Sequence, residues 1–193
     1  MTEICIVTSN EHKFKEISKV AEEYNVKVHM CPGLKLEIQS LNLEEIVVKS
    51  AMLAYIYLNK PLLVEDAGLF IDALNGFPGP FSSYVYNTIG IQGILKLMKG
   101  VSNRKACFRS VVALIVNNNI FKTSGEICGE IVSEPRGSFG FGFDPIFKPC
   151  GVDKTFAEME IDEKNKYSHR AKSVRRALEM LLGNQRNMLI NQK

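Results

Sequence analysis

Residues Leu62 to Tyr84 read LLVEDAGLFIDALNGFPGPFSSY, a stretch in which the apolar triplet Leu62-Leu63-Val64 delivers two adjacent carboxylates, Glu65 and Asp66, toward a Gly/Pro-rich loop. Such a run predicts a short buried strand, with the acids expected at its exit, where rigid scaffold meets adaptable loop. Neighbouring carboxylates repel. A fold that keeps both beside a cleft neutralises them with a divalent cation or separates their pKa values for acid–base work; the alternative is a solvated turn with helix-capping acids.

Outward from this stretch, strands and helices alternate. Ile4 to Val7 predicts a strand, Thr8-Ser9-Asn10 a turn of N-cap residue types, and Phe14, Ile17, Val20 and Ala21 a helix. Val26, Val28 and Met30 alternate as a second strand. Ile46, Val47, Ser50, Ala51, Ala54 and Leu58 trace an amphipathic helix from Leu43 to just before Pro61. Beyond the loop, Ile89 to Met98 is helical in spacing, and residues 105–116 and 120–132 predict two long strands joined at Asn117-Asn118-Asn119, with VVALIV buried on both faces. Residues 155–170 are polar with short helical signals. Val174, Ala177, Leu178, Leu181 and Leu182 mark a last helix, after which the tail from residue 184 is expected to fray. The pattern predicts an α/β fold forming one domain over residues 1–183.

Composition narrows the class. With 193 residues, 46% hydrophobic and 23% charged, the chain is an ordinary globule with one core, and a net charge of +3 is too small to announce a nucleic-acid partner. No segment approaches a membrane span and the N-terminus lacks signal-peptide character, so a cytoplasmic location is expected. The five cysteines are odd in number, widely spaced and without a CxxC pair. They are expected to be reduced and packed, with no disulfide framework and no zinc site.

Four polar clusters need a joint explanation. Thr8, Ser9, Asn10, Glu11, His12 and Lys13 lie at a strand-to-helix junction, where unpaired N–H groups, hydroxyls and a lysine suit a phosphate, or simply cap the helix. Neither a Walker loop nor GxGxxG occurs. Glu37 and Lys49 flank the start of the following helix. Gly137 to Pro145 interleaves glycines with Phe139, Phe141 and Phe143 ahead of Asp144, which suits close backbone approach and base stacking, or a glycine-rich strand with core aromatics. Lys164, Ser168, His169 and Arg170 offer donors to a carbonyl or a phosphate. A Ser168–His169–Asp144 triad finds no support, since no GxSxG elbow is present.

The order of these clusters resembles the inosine triphosphate pyrophosphatases, also called dITP/XTP pyrophosphatases: TSNEHK (8–13), VEDAGLFIDALNGFPGPFSSYV (64–85), FGFDPIF (141–147), TFAEM (155–159) and EKNKYSHR (163–170), spanning about residues 4–182. The resemblance implies a two-lobed mixed α/β fold around a long central sheet, with the active site in the cleft between lobes. It also implies Mg²⁺-dependent hydrolysis of ITP, dITP or XTP to the monophosphate and pyrophosphate, and a homodimer. Carried over, Thr8 to Lys13 and Lys49 would contact the nucleotide, with Asn10 and Lys13 at the phosphates. Glu37 and Asp66 would hold Mg²⁺, Glu65 and Asp66 would serve catalysis, and Phe141, Gly142, Phe143, Asp144, Lys164, His169 and Arg170 would complete the pocket.

Three positions depart from frequent family patterns: Ser9 for glycine, Ala67 for serine or threonine, and Ser83 for lysine, leaving Ser83 only a hydroxyl for substrate. The rival readings are a Maf-type pyrophosphatase acting on pyrimidine or modified nucleotides, against which FGFD and SHR argue, and a non-catalytic nucleotide- or RNA-binding protein that stacks bases on Phe141 and Phe143.

Overall fold

The computed structural model describes residues 3–33, 36 and 38–190. β1 (Glu3–Ile6) leads through Thr8-Ser9-Asn10 into α1 (Glu11–Glu23), where the Asn10 side chain accepts the Lys13 backbone N–H at 3.0 Å and caps the helix. β2 (Lys27–Met30) and β3 (Leu62–Ile71) flank β1 in parallel, and α2 (Leu43–Leu58), capped by Asn42, makes the crossover between them. Parallel neighbours require such crossovers, which is why apolar runs of strand length alternate here with runs of helical period.

β3 is longer than its apolar triplet predicts. All ten of its residues pair antiparallel with β5 (Lys105–Val116), from Leu62↔Ile115 to Ile71↔Ala106, so Glu65 and Asp66 lie inside the strand rather than at its exit. β1 pairs with β3 only as far as Ile6↔Leu63. The acids therefore stand where the sheet loses one neighbour and keeps the other, and a crevice opens there.

β4 (Pro78–Gly79) folds back on Leu69 and Phe70, and α3 (Ser82–Thr88) and α4 (Gly90–Leu97) follow. The short α3 was hidden in the loop-like composition of its flank. β5 and β6 (Asn119–Ile131) form the expected hairpin, with Asn117 and Asn118 in left-handed conformations at φ 50° and 62°, and β7 (Phe147–Pro149) pairs with the far end of β6. The seven-stranded mixed sheet runs β2-β1-β3-β5-β6-β7, with β4 beside β3. α5 (Ile161–Tyr167) precedes α6 (His169–Ile190). α6 begins before its apolar stripe and continues past Gly183 to Ile190, because one interior glycine costs only about 1 kcal/mol.

Three apolar clusters fill the two faces. Ile4, Ile6, Leu63, Val112 and Leu114 pack with Ile17 of α1 and Val174 and Leu178 of α6; Val7, Leu62, Val64, Ala113 and Ile115 pack under Val47, Ala51 and Ala54 of α2. VVALIV thus feeds both layers from alternate positions. Leu69, Ile71, Ile94, Met98, Phe108, Phe147 and Phe156 form a third cluster toward the far end of the sheet. Phe108 and Phe143 of this third cluster also line the crevice beside β3. α6 crosses β6 at Gly125, where a Cβ would meet the His169 carbonyl oxygen at 2.1 Å and the Ser173 nitrogen at 2.7 Å.

The cysteines overturn their expected state. Cys5–Cys31 and Cys107–Cys128 are disulfides with Cα separations of 5.8 and 4.0 Å, and Cys150 is the free thiol. Spacing in sequence carries no sign of this, because the partners become neighbours only through the sheet: Cys107 faces Cys128 across the hairpin, and Cys31 donates its N–H to Ile6 O beside Cys5. Among the described residues no helix is long and apolar enough to cross a membrane.

Candidate active site

The crevice beside β3 is a cleft of about 640 Å³. Thr8, Ser9, Asn10, His12 and Lys13 border it from the β1–α1 junction, Asp66 and Ala67 from β3, and Ser83 from α3. Phe141, Gly142, Phe143 and Asp144 close it from the glycine-rich loop, and His169 and Arg170 from the first turn of α6. That loop is not a strand: Gly140 and Gly142 take φ of 71° and 62°, which turn Phe141 into the cleft while Phe143 packs into the far core.

Four sequence-chosen residues stand elsewhere. Glu11, the first residue of α1, does not border the cleft. Lys49 lies on the exposed side of α2, paired with Glu45 at 2.6 Å. Lys164 is buried behind the pocket wall at 2% exposure, and Glu65 is buried behind Asp66 at 3%. Glu37 falls outside the described residues.

At one end the cleft has the chemistry that suits a phosphate. The β1–α1 junction presents the N-terminus of α1, and Lys13, one turn in, places Nζ 3.1 Å from Glu65 Oε2 and 3.3 Å from Asp66 Oδ1. Glu65 is anchored from beneath: Ser110 Oγ donates to its Oε1 at 2.7 Å, and Arg170 Nε lies 3.1 Å from the same oxygen. Burial alone would raise the pKa of this carboxyl, but the charges of Arg170 and Lys13 and the Ser110 hydrogen bond hold it far below the ordinary carboxylate range. Glu65 thus lies between two cations, Lys13 and Arg170, and faces both.

Behind the opposite wall runs a second buried array. Lys164 Nζ bridges Glu16 Oε1 at 2.7 Å and Asp144 Oδ2 at 2.6 Å, and Glu16 Oε2 takes Arg170 Nη1 at 2.5 Å. Glu16 is buried, yet Arg170 and Lys164 lower its pKa; Asp144 is pushed up by burial, with repulsion from Glu16 adding to it. Lys164 is penalised by burial but keeps its proton through Asp144 and Glu16. Asp144 Oδ2 also accepts the Phe141 N–H at 2.9 Å, so this array fixes the backbone that carries the ring.

The other end suits a flat heterocycle. Phe141 presents a ring stacked on exposed His12, with centroids 5.3 Å apart, and the Arg170 and Lys164 cations lie 5.4 and 5.3 Å from its centre. His169, 2% exposed, stacks on Phe108 at 4.7 Å with the planes 8° apart. Burial, reinforced by Arg170, depresses its pKa well below the ordinary imidazole value, so the ring is neutral, with one N–H donor and one bare nitrogen. Neither ring nitrogen has a hydrogen-bond partner among the described residues. A larger groove of about 760 Å³ beside the N-terminus of α2 lacks this combination, and its Arg109 is already paired with Glu126 at 2.5 Å.

Reading the sequence missed Glu16, Ser110, Ser173, Phe108 and Tyr86. Glu16 carried a signal, since an acid falling on the same helical stripe as Ile17 and Val20 is in a core position and must find a cation. Ser110 likewise interrupts the buried alternation Phe108, Val112, Leu114. Tyr86 and Asn87, which border the cleft, belong to the α3 turn that composition concealed.

A family model described as the Ham1 family matches residues 4–180. A dITP/XTP pyrophosphatase of Hyperthermus butylicus is 51% identical over 172 residues, covering 89% of this chain and 90% of its own, and one of Saccharolobus solfataricus is 47% identical over 179 residues, covering 92% and 93%. Among solved structures, a HAM1 protein from Coxiella burnetii superposes with a TM-score of 0.81 at 31% identity over 95% of this chain and all of that one. The Staphylococcus aureus Ham1 protein gives 0.79 at 26% identity, again over 95% and 100%. With the match running through the β1–α1 junction, the paired acids, the glycine loop and the start of α6 alike, the chain belongs to the Ham1 family.

Proposed function

We propose that this protein is a nucleoside triphosphate pyrophosphatase acting on deaminated purine nucleotides, ITP, dITP and XTP, in the cytoplasm. The observation that carries the reading is the single cleft joining a helix N-terminus with Lys13 and Asp66 at one end to the Phe141 ring and the unpaired, neutral His169 at the other. The relatives named above bear on the substrate class by their own names. The reaction breaks the α–β anhydride with water and yields monophosphate, pyrophosphate and a proton.

The residues divide the work. The β1–α1 junction and Lys13 take the phosphates, and Asp66 orients the attacking water and accepts its proton, or ligates the cation. Glu65 keeps Lys13 and Arg170 aimed. His169 N–H or Arg170 donates to the purine 6-carbonyl; an adenine amino group would leave that donor unpaired, a mismatch worth up to roughly 10⁴-fold. A divalent cation such as Mg²⁺ fits the oxygen donors of Asp66 and the substrate phosphates, with Glu37 the second carboxylate that the resemblance implies, which suits its habit of few carboxylates plus phosphates. When bound it supplies neutralisation of the triphosphate charge, and Ser83, where a lysine is frequent, makes that contribution weightier.

The deciding experiment measures turnover of ITP, XTP, dITP, ATP, GTP, UTP and dTTP with and without Mg²⁺, separating pyrophosphate from orthophosphate. Pyrophosphate release from ITP and XTP far ahead of ATP and UTP is expected; tight binding without turnover would overturn the hydrolase reading. We also infer a homodimer. Met52, Ile56 and Tyr57, at 50, 74 and 71% exposure on α2, are an apolar surface that a second copy would cover, and Ile56→Asp is expected to halve the mass in light scattering if they do.

A further inference from the structure

Ser110 and Ser173 have no side-chain exposure to the cleft, yet they are the floor on which its charges rest. Ser110 of β5 and Ser173 of α6 are both 0% exposed, and their hydroxyl oxygens lie 2.9 Å apart. Each hydroxyl has one proton. Ser110 Oγ donates to Glu65 Oε1 at 2.7 Å, which uses its one proton, so toward Ser173 it can only accept. Ser173 has a competing acceptor in the Arg170 carbonyl oxygen at 2.9 Å. Ser110 thus spends its proton on one carboxylate oxygen of Glu65 and leaves the other for Lys13, while the single Ser173 proton is shared between the Arg170 carbonyl and Ser110, bracing the Ser110 hydroxyl from behind.

The two cations held by Glu65 depend on it unequally. Arg170 is also fixed by Glu16 at 2.5 Å and stays in place without Glu65. Lys13 is held by Glu65 and Asp66, and Asp66 is the group the reaction calls away, whether toward water or toward a cation. We propose that Ser110 and Ser173 are positioning residues for the hydrolysis, which lock Glu65 so that Lys13 stays aimed at the phosphates when Asp66 turns to its chemical task. This rests on the hydrolase reading above.

The test is Ser110→Ala and Ser173→Ala, each alone and combined with Lys13→Ala. Because phosphate binding by Lys13 is felt in ground and transition states alike, Ser110→Ala should raise KM for ITP about ten-fold with kcat within about two-fold, and Ser173→Ala about three-fold. In the Lys13→Ala background either change should do less than two-fold, since the group they position is gone. An equal effect in both backgrounds, or a lowered melting temperature with unchanged KM, assigns the serines to packing and overturns the proposal. A readout independent of turnover is the acylation rate of Lys13 by a lysine-selective reagent, followed by mass spectrometry; it should rise several-fold in Ser110→Ala and fails the proposal if unchanged. Absence of ITP turnover in the parent protein would instead sink the hydrolase reading, and the acylation arm would still decide the positioning role.

Discussion

Replacing Lys164 by Met removes the charge that three elements share and keeps most of the side-chain volume. Its ammonium is 2% exposed and bridges Glu16 and Asp144 at 2.7 and 2.6 Å, so the two carboxylate oxygens it separates lie no further apart than those contacts end to end. Unscreened by the lysine, two anions at that spacing repel by roughly 3 kcal/mol at an effective dielectric near 20, and removing one partner of a buried ion pair costs about 3–5 kcal/mol overall. For a chain of this size that is a melting temperature roughly 6–20 °C lower at pH 8. The sign with pH follows from Asp144, whose pKa is already raised by burial and rises further without Lys164, while Glu16 keeps Arg170. A carboxyl raised in the folded state costs stability at pH above its unfolded value and stops doing so as pH falls toward that value, by up to about 1.4 kcal/mol per pH unit. The deficit of Lys164→Met should therefore shrink on acidification from pH 8 to pH 5. Circular-dichroism melts of parent and variant across that range are the assay. A loss below about 1 kcal/mol, or a gap that does not change with pH, refutes the buried-bridge account.

Three further outcomes are expected. Asp66→Asn removes the charge and should cut turnover about 10²-fold or more with the fold intact; excess Mg²⁺ restores part of the rate if Asp66 is chiefly a ligand, and none if it is chiefly the base, while parental turnover across metal concentration and pH would exclude both. Gly140→Ala places a Cβ 2.2 Å from Asp144 Oδ2 at a φ of 71°, so it should displace Asp144 from the Phe141 N–H and weaken nucleotide binding in calorimetry by about ten-fold. Dithiothreitol should lower the melting temperature, since each disulfide closes a stretch of 26 or 21 residues and contributes about 3 kcal/mol in the chain-entropy account; an unchanged melt would mean that thiols prevail.

Much of this molecule is written locally. The periods of α1, α2 and the β5–β6 hairpin follow from which residues are apolar, and the capped β1–α1 junction follows from Asn10 preceding the apolar stripe. What the sequence concealed depends on partners remote along the chain. Glu65 looks like the twin of Asp66, and only the approach of Arg170 and Ser110 turns it into a buried counter-ion while Asp66 faces the cleft. Lys164 looks like a substrate contact, and Glu16 of α1, far upstream, claims it first. The cysteines read as thiols because their pairing is a property of strand order. The sequence reading of β3 stops short because Glu65, Asp66 and Gly68 interrupt its apolar run, and only pairing with β5 carries the strand across them to the buried Leu69 and Ile71.

The contact between α6 and Gly125 sets a length. His169 and Arg170 open the helix that rests on that glycine, so the height at which their ring and guanidinium stand over Phe108 and Phe141 is the thickness of a backbone with nothing added. A single methyl on β6 would act as a shim of an ångström or more under the His169–Arg170 end of the site while leaving every group in it chemically unchanged. On the function proposed above, the gap that gauges which bases enter is thus adjusted from beneath α6, by a residue of β6 that does not line the cleft.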